Sequence, residues 1–395
     1  MKNSMLPNVD KAIASLLETV EPLKRVVTVL LEDADNRVLS KNVVAPMDYP
    51  HYDQCILDGY VLRALDTVGC GEGSERVLRV TTDEHIASGC CVLAHTGSAL
   101  PGGADALLPL EDAKERDGCV LVSKEVTKHQ WIWPRGGGLA RGDCVNKEGL
   151  QLKPVDIAML AKLGVGDVEV YDRPRVLIVP TGDECVKRGD QISPGFVYET
   201  NGLMCSLLVE RYGGCPTLHE IVPDDETQLK EVLMDGTDYD LIITIGGSSK
   251  SKRDLMEQVI SSMGEVLFHG VALHPGNHMG TGLIRNGEKT IPVIFLPGYT
   301  ESCAVAAFMF VDAVVKKLGH YPPSSRTGHQ AQLIGRATAS LGVRGVRKVN
   351  IHDGKARPIK MLGESNLMGK YGYIMIPEDR AGLEAGEFVE IIYFE

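Results

Sequence analysis

The chain has 395 residues, an apolar fraction of 44% and a charged fraction of 24%, which describes a folded globular protein of about two or three domains. Lys and Arg number 41 against 53 Asp and Glu, a formal net charge of −12; this argues against a general nucleic-acid binder and requires any anionic ligand to find its own pocket of donors or cations. No apolar run approaches the ~20 residues of a membrane span, and Met1-Lys2-Asn3-Ser4-Met5 lacks a signal-peptide core, so a cytoplasmic protein is expected.

In chain order, Val9 to Thr19 carries Ile13, Leu16 and Leu17 at helical spacing, and Arg25 to Asp33 reads as extended until Pro46 and Pro50 break the pattern. Asp58-Gly59 reads as a turn dipeptide. Residues 61–130 are short strands and turn clusters with no long helical pattern, so a small all-β domain is predicted. Pro154 near its start, Ile157, Leu160 and Ala161 on one face, and Gly164 at its end predict a helix over 153–164. The ten cysteines include no Cys-x-x-Cys pair and are expected to be mostly buried thiols, with the adjacent Cys90-Cys91 explained by a strand.

Residues 174–320 alternate buried strand and helix. Val176 to Val179 is a strand ended by Pro180-Thr181-Gly182-Asp183-Glu184, and Asn201 is expected to cap a helix carrying Met204, Leu207 and Leu208. Asp240 to Ile245 and Val293 to Leu296 supply further strands, and Pro297-Gly298 precedes a helix from about 301 to 318. Such alternation predicts an open, mostly parallel sheet that binds ligands at the carboxyl ends of its strands. The loops at 180–184, 246–254 and 297–302 should then open on one edge. From about 323 the pattern is β again.

The stretch from Asp240 to Gly282 is the most telling. A buried strand, then Gly246-Gly247-Ser248-Ser249, then a helix starting near Asp254, is a geometry in which free backbone N–H groups hold an anion. His274-Pro275-Gly276-Asn277-His278 forms a second loop. Asp58, Glu184 and Asp254 are the candidate carboxylates, and their gathering around a phosphate would imply a bridging Mg2+. Taken singly, each reads more simply as a cap or first-turn residue. His269, His274 and His278 read as polar loop residues rather than as a metal site, because the turn between them gives no helical i, i+4 face.

At this point the chain resembles the molybdopterin molybdenumtransferases, the MoeA or gephyrin C-terminal domain family. LDGYVLRALD at 57–66, HTGSALPGGADALLPLED at 95–112, the stretch ending PTGDE at 180–184, and SPGFVYETNGLM at 193–204 are similar to its MDGYA, TGAPLPxGADAVV, STGDEL and PGQIYDSN segments. DLIITIGGSSKSKRD, FHGVALHPGNHMGTG, FLPGYTES and IMIPEDRAGLEAGEFVEI stand where the family has GGVSVGDYD, VAMKPGKPLAFG, LPGNPVS and its C-terminal domain. The resemblance implies a multidomain α/β protein. A helical and extended domain would span 1–46 and 131–173, a β-rich insertion 47–130, an α/β molybdopterin-binding domain 174–322, and a C-terminal β-domain 323–395. It further implies a homodimer with its cleft between chains, and insertion of molybdate into adenylylated molybdopterin with release of AMP.

Carried over residue by residue, the resemblance gives Asp58, Glu184 and Asp254 as catalytic, with Glu184 and Asp254 on Mg2+. Thr96, Gly97, Thr181, Gly182, Asn201, Gly246, Gly247, Ser248, Ser249, Pro275, Gly276, Asn277, Pro297, Gly298 and Ser302 would bind substrate. Several positions depart from the family pattern. The lysine of the PGKP loop is Asn277 and its second proline is His278; the Asn-Pro of LPGNPVS is Tyr299-Thr300; the acid after the linker Arg-Gly is missing at Gly137-Gly138; and Lys250, Lys252 and Arg253 are new cations. These departures keep open a non-catalytic carrier, sensor or scaffold, or an enzyme redirected to tungstate.

Overall fold

The computed structural model describes residues 6–246, 253–324, 328–359 and 370–394, and only the backbone of Arg253, Asp254 and Lys370. The chain folds into two compact units: one of residues 1–27, 36–38 and 170–395, the other of residues 28–35 and 39–169. Among the described residues no helix is long and apolar enough to cross a membrane. Five cysteines are buried, three are half-buried, and Cys144 and Cys215 are exposed; all ten are free.

Helix α1 (Val9–Glu18) is capped by the Asn8 side chain, which accepts from the Asp10 and Lys11 amides. Its buried face, Val9, Ala12 and Leu16, joins the core of the first unit.

The second unit is built on a six-stranded sheet in the order Ala106–Pro109, Gly59–Leu62, Cys90–Ala94, Arg76–Val80, Cys119–Val122, Ala113–Arg116. Strand Gly59–Leu62 is buried at every position because both faces are covered. Tyr60 and Leu62 pack into one core with Leu78, Leu108 and Val122, and Val61 into another with Ile86, Leu107 and Ile132. Gly59 opens this strand, so the turn reading of Asp58-Gly59 is corrected: a Cβ there would lie 2.2 Å from the Leu108 carbonyl oxygen, and only glycine lets the strands approach. Helix α2 (Pro154–Lys162) also lies in this unit.

The first unit is centred on a six-stranded sheet of β1 (Arg175–Pro180), β2 (Cys215–Leu218), β3 (Leu241–Ile245), β4 (Gly264–His269), β5 (Gly280–Asn286) and β6 (Lys289–Leu296), in the order β2-β1-β3-β6-β5-β4. The first four strands in that order are parallel, while β5 is antiparallel to both of its neighbours, β6 and β4. The expected multidomain α/β fold, with an open, mostly parallel sheet, is therefore present. Alternate residues of its central strands enter two cores. Val176, Ile178, Ile243 and Ile294 face α1, α3 (Asn201–Arg211) and the helical run beginning with α6 (Thr300–Ala306). Leu177, Val179, Ile242 and Val293 face α4 (Glu226–Asp235) and α5 (Arg253–Met263). Helices on both sides explain why these strands are continuous apolar runs.

A second sheet follows, in the order Leu273–His274, Arg344–His352, Lys355–Pro358, Gln330–Leu333, Phe388–Glu390, with Lys370–Ile376 also paired to Arg344–His352. Leu273 pairs with Arg344 and His274 with Gly345, so the end of the chain is stitched to the loop at 274–278.

An ion-pair node ties β3 to residues further back in the chain. The Arg25 Nη1 and Nη2 atoms donate to Asp240 Oδ1 and Oδ2 at 2.8 and 2.7 Å, its Nε donates to Asp172 at 3.2 Å, and the Arg175 amide donates to Asp240 at 2.8 Å. The Asp240 side chain is only 4% exposed, and its carboxylate raises the Arg25 guanidinium above its ordinary value. Asp240→Ala is expected to lower stability by about 2–3 kcal/mol, the scale of hydrogen bonds to charged groups, measured as a shifted urea midpoint at constant m-value. Lys230→Ala removes an exposed i, i+4 pair with Glu226 and should cost less than about 0.5 kcal/mol.

Candidate active site

Pro180, Ile245 and Leu296 stand side by side in parallel register at the ends of β1, β3 and β6. The loops that leave these strands therefore begin at one level, as the alternation predicts. The Thr181 amide donates to the Ile245 carbonyl at 2.7 Å, Gly246 N–H to the Leu296 carbonyl at 3.1 Å, and Gly182 N–H to the Val222 carbonyl at 3.2 Å. A Cβ on Gly246 would sit 2.3 Å from the Thr181 carbonyl oxygen, and the nearest atom to a Cβ on Gly298 is the Gly246 Cα at 3.6 Å. Thr181, Gly246 and Gly298 thus meet backbone to backbone.

These contacts change how an anion would be held. The amides of Thr181, Gly182 and Gly246 already have carbonyl partners, so the expectation of free N–H groups does not extend to Gly246. Gly247, Ser248, Ser249, Lys250 and Lys252 lie outside the described residues, as do the side chains of Arg253 and Asp254. At the same edge the Thr181 hydroxyl is buried and has no partner, a donor available to a ligand oxygen.

Asn201 is not a helix cap. It is the first residue of α3, behind Thr200 at the N-cap, and its Nδ2 donates to the Gly298 carbonyl at 2.7 Å. The Glu199 side chain instead accepts the Gly202 amide. Asn201 therefore holds the 297–302 loop in place, and its buried Oδ1 has no partner. Glu184 lies over Gly182, with its Oε2 3.1 Å from where a Cβ would be. Asp183 and Asp224 clasp each other's amides at 3.3 and 3.1 Å beside it.

The second loop packs against the same edge. A Cβ on Gly276 would lie 3.4 Å from the Ser302 carbonyl oxygen, which joins Pro275-Gly276-Asn277 to the start of α6. The Asn277 carbonyl accepts the Val271 amide at 3.2 Å. Asn277 is half-buried, whereas His278 is exposed. Arg347 reaches over from the C-terminal sheet, and its Nη1 donates to the His274 carbonyl at 3.0 Å. Burial lowers its guanidinium below the ordinary value. Sequence reasoning passed over Arg347; the signal was the basic run Arg344-Gly-Val-Arg347-Lys348.

In the second unit, Asp58 Oδ1 accepts the Thr96 amide at 2.7 Å and the Thr96 hydroxyl at 2.9 Å. Those bonds, the amide first, hold the Asp58 carboxyl below the usual carboxylate range. His95 Nδ1 stands 3.9 Å from the other oxygen. Gly97, at a φ of +86°, donates its amide to the Cys55 carbonyl at 2.8 Å. Asp58, Thr96 and Gly97 thus form one group, and Thr181, Gly182, Glu184, Asn201, Gly246, Pro275, Gly276, Asn277, Pro297, Gly298 and Ser302 belong to the edge of the first unit.

Among the described residues no three His, Cys, Asp or Glu side chains gather to hold a metal, and His269 pairs with Glu257 at 2.8 Å. The hard carboxylate oxygen of Glu184 over Gly182 nevertheless suits Mg2+, which is ordinarily held by one or two carboxylates together with substrate phosphates rather than by a protein cage.

Comparison with known proteins places the chain in a family. Residues 7–164 match the family model described as "MoeA N-terminal region (domain I and II)", and residues 177–317 match "Probable molybdopterin binding domain". The chain is 31% identical to a protein of Methanocaldococcus jannaschii named for molybdopterin biosynthesis, covering 99% of this chain and 98% of that one. It is 29% identical to molybdopterin molybdenumtransferase 2 of Mycobacterium tuberculosis, covering 96% and 97%. The crystal structure of a molybdopterin biosynthesis MoeA protein from Pyrococcus horikoshii superposes with a TM-score of 0.82 at 27% identity, covering 99% of each chain. With both family regions in order and the likeness running almost end to end, the chain belongs to the MoeA family of molybdenum cofactor biosynthesis, whose homologues include the molybdopterin molybdenumtransferases.

Proposed function

We propose that this protein is a cytoplasmic molybdopterin molybdenumtransferase that takes adenylylated molybdopterin and molybdate, places the metal in the dithiolene and releases AMP. The observation that carries this reading is the meeting of the loops after β1, β3 and β6 at Gly246, with the orphaned Thr181 hydroxyl beside them. That edge would receive the phosphate end of the pterin nucleotide. Thr181 donates to a phosphate oxygen. Asn201 fixes the Gly298 turn. Glu184 and Asp254 would hold Mg2+, which neutralises phosphate charge when bound. Asp58, kept ionised by Thr96, is the third carboxylate of the set.

A second reading keeps binding but redirects or weakens turnover: a tungstate-using enzyme, or a non-catalytic carrier, sensor or scaffold. It is favoured by the half-buried Asn277, which stands where the family's loop has a lysine.

A homodimer completes the proposal, with Asp58 and Thr96 of one chain serving the sheet edge of the other. Asp58→Ala and Glu184→Ala chains should each be inactive in AMP release, and mixing them should restore about a quarter of the parent rate, since random two-fold pairing leaves one whole site in half the dimers. No recovery on mixing, or light scattering showing a monomer at micromolar concentration, sinks the shared site. No AMP release by the parent with either molybdate or tungstate sinks the enzyme.

A further inference from the structure

Beside the Gly298 turn lies a cavity of about 400 Å3 between α3, α6 and the C-terminal sheet, within the size range of small-ligand clefts. Leu203, Leu207, Val305 and Phe308 make its walls apolar, while Glu301, Lys348 and Arg211 bring charge to it. Thr200 and Thr300, the neighbours of Asn201 and of the loop that Asn201 holds, also line it. The cavity therefore adjoins the residues that hold the Gly298 turn.

Glu301 distinguishes this cavity. In LPGYTES it occupies the place of the valine of LPGNPVS. Its Oε1 is fully buried and has no hydrogen-bond partner. Burial pushes the carboxyl above the ordinary value, against the opposing pull of Tyr299 and Lys348. An unpaired carboxylate oxygen in an apolar cleft is costly unless a ligand donates to it.

We propose that Glu301 is a specificity residue that reads the 2-amino-4-oxopyrimidine edge of a pterin lying in this cavity. The edge presents two adjacent donors, N3–H and the 2-amino N–H, and a carboxylate accepts two parallel N–H bonds. The flat bicyclic ring lies between the apolar walls, and its side chain leads toward the Gly298 turn and the phosphate edge. This rests on the proposed function, since it names the subsite for the pterin end of the same substrate.

The test compares pterin with lumazine, in which the 2-amino donor is replaced by a carbonyl acceptor. Binding is followed by the ligands' own fluorescence, with the parent, Glu301→Gln and Glu301→Val. The parent should prefer pterin at least about tenfold, the scale of one lost hydrogen bond to a charged group. Both variants should lose that preference while keeping the parent's urea midpoint. Equal preference in parent and variants, or no pterin binding by the parent, overturns the assignment. The proposed function fails separately, by absence of AMP release from the parent supplied with adenylylated molybdopterin and oxyanion.

Discussion

Gly246→Ala is expected to destabilise the protein by about 3 kcal/mol and to abolish binding of adenylylated molybdopterin. Gly246 has a φ of +109°, a conformation that strains any residue with a Cβ by about 1–3 kcal/mol. The added methyl would also lie 2.3 Å from the Thr181 carbonyl oxygen. Thr181 cannot yield cheaply, because its amide is bonded to Ile245 and the next amide to Val222; forcing the two apart adds about 1–3 kcal/mol. The displaced groups are the Thr181 hydroxyl and the first peptide of the loop proposed to bind phosphate, so binding and stability should fall together. Gly298→Ala is the contrast. A Cβ there meets only the Gly246 Cα at 3.6 Å, an ordinary contact, and its urea midpoint should stay close to the parent's. Calorimetric titration and urea unfolding of both variants decide the matter: if Gly246→Ala unfolds at the parent's midpoint, the three loops do not meet as described.

The parts of the fold that were legible in the sequence are those where one strand carries its own signal. β1, β3 and β6 are apolar on both faces, and helices with end signals lie between them, so the parallel sheet could be read directly. The hairpin of β5 and β6 was seen only in its second half. No strand is read from the sequence over Gly280 to Asn286, although Asn286-Gly287 at its end is a strong hairpin signal. The glycines are required by packing: a Cβ on Gly282 would lie 2.6 Å from the Glu265 carbonyl oxygen of β4. Local propensity also misled at Asn201, whose amide serves Gly298, 97 residues away. Arg347 was hidden for the same reason, since its place at the site depends on the pairing of Leu273 with Arg344. Such long-range partners leave no mark in a sequence window. Glu184 and Asp58, by contrast, sit in motifs long enough to be named, although only the structure assigns the Thr96 bonds to Asp58.

The double substitution Asn277→Lys with His278→Pro is expected to strengthen the use of molybdate by about ten- to a hundred-fold, the value of one charge-assisted donor to an oxyanion. The loop that would receive the lysine is already held in place. Gly276 rests on the Ser302 carbonyl, the Asn277 carbonyl accepts Val271 N–H, and Arg347 bonds the His274 carbonyl. A new side chain at 277 therefore projects from a fixed backbone rather than a loose one. Position 277 is half-buried, so the ammonium of a lysine there would gain from a partly desolvated oxyanion more than an exposed lysine could. Arg347 brings a second cation to the same loop, and it supplies part of the positive field that the missing lysine leaves. Arg347→Met should consequently weaken oxyanion use in the parent more than in the double variant, where the lysine shares the charge. The measurement is AMP release across parallel molybdate and tungstate titrations of the parent, the double variant, and each with Arg347→Met. A parent that already saturates at micromolar molybdate, with no gain from the double change, rejects a pocket centred on residue 277. A gain with one oxyanion alone identifies the oxyanion that the parent's loop disfavours.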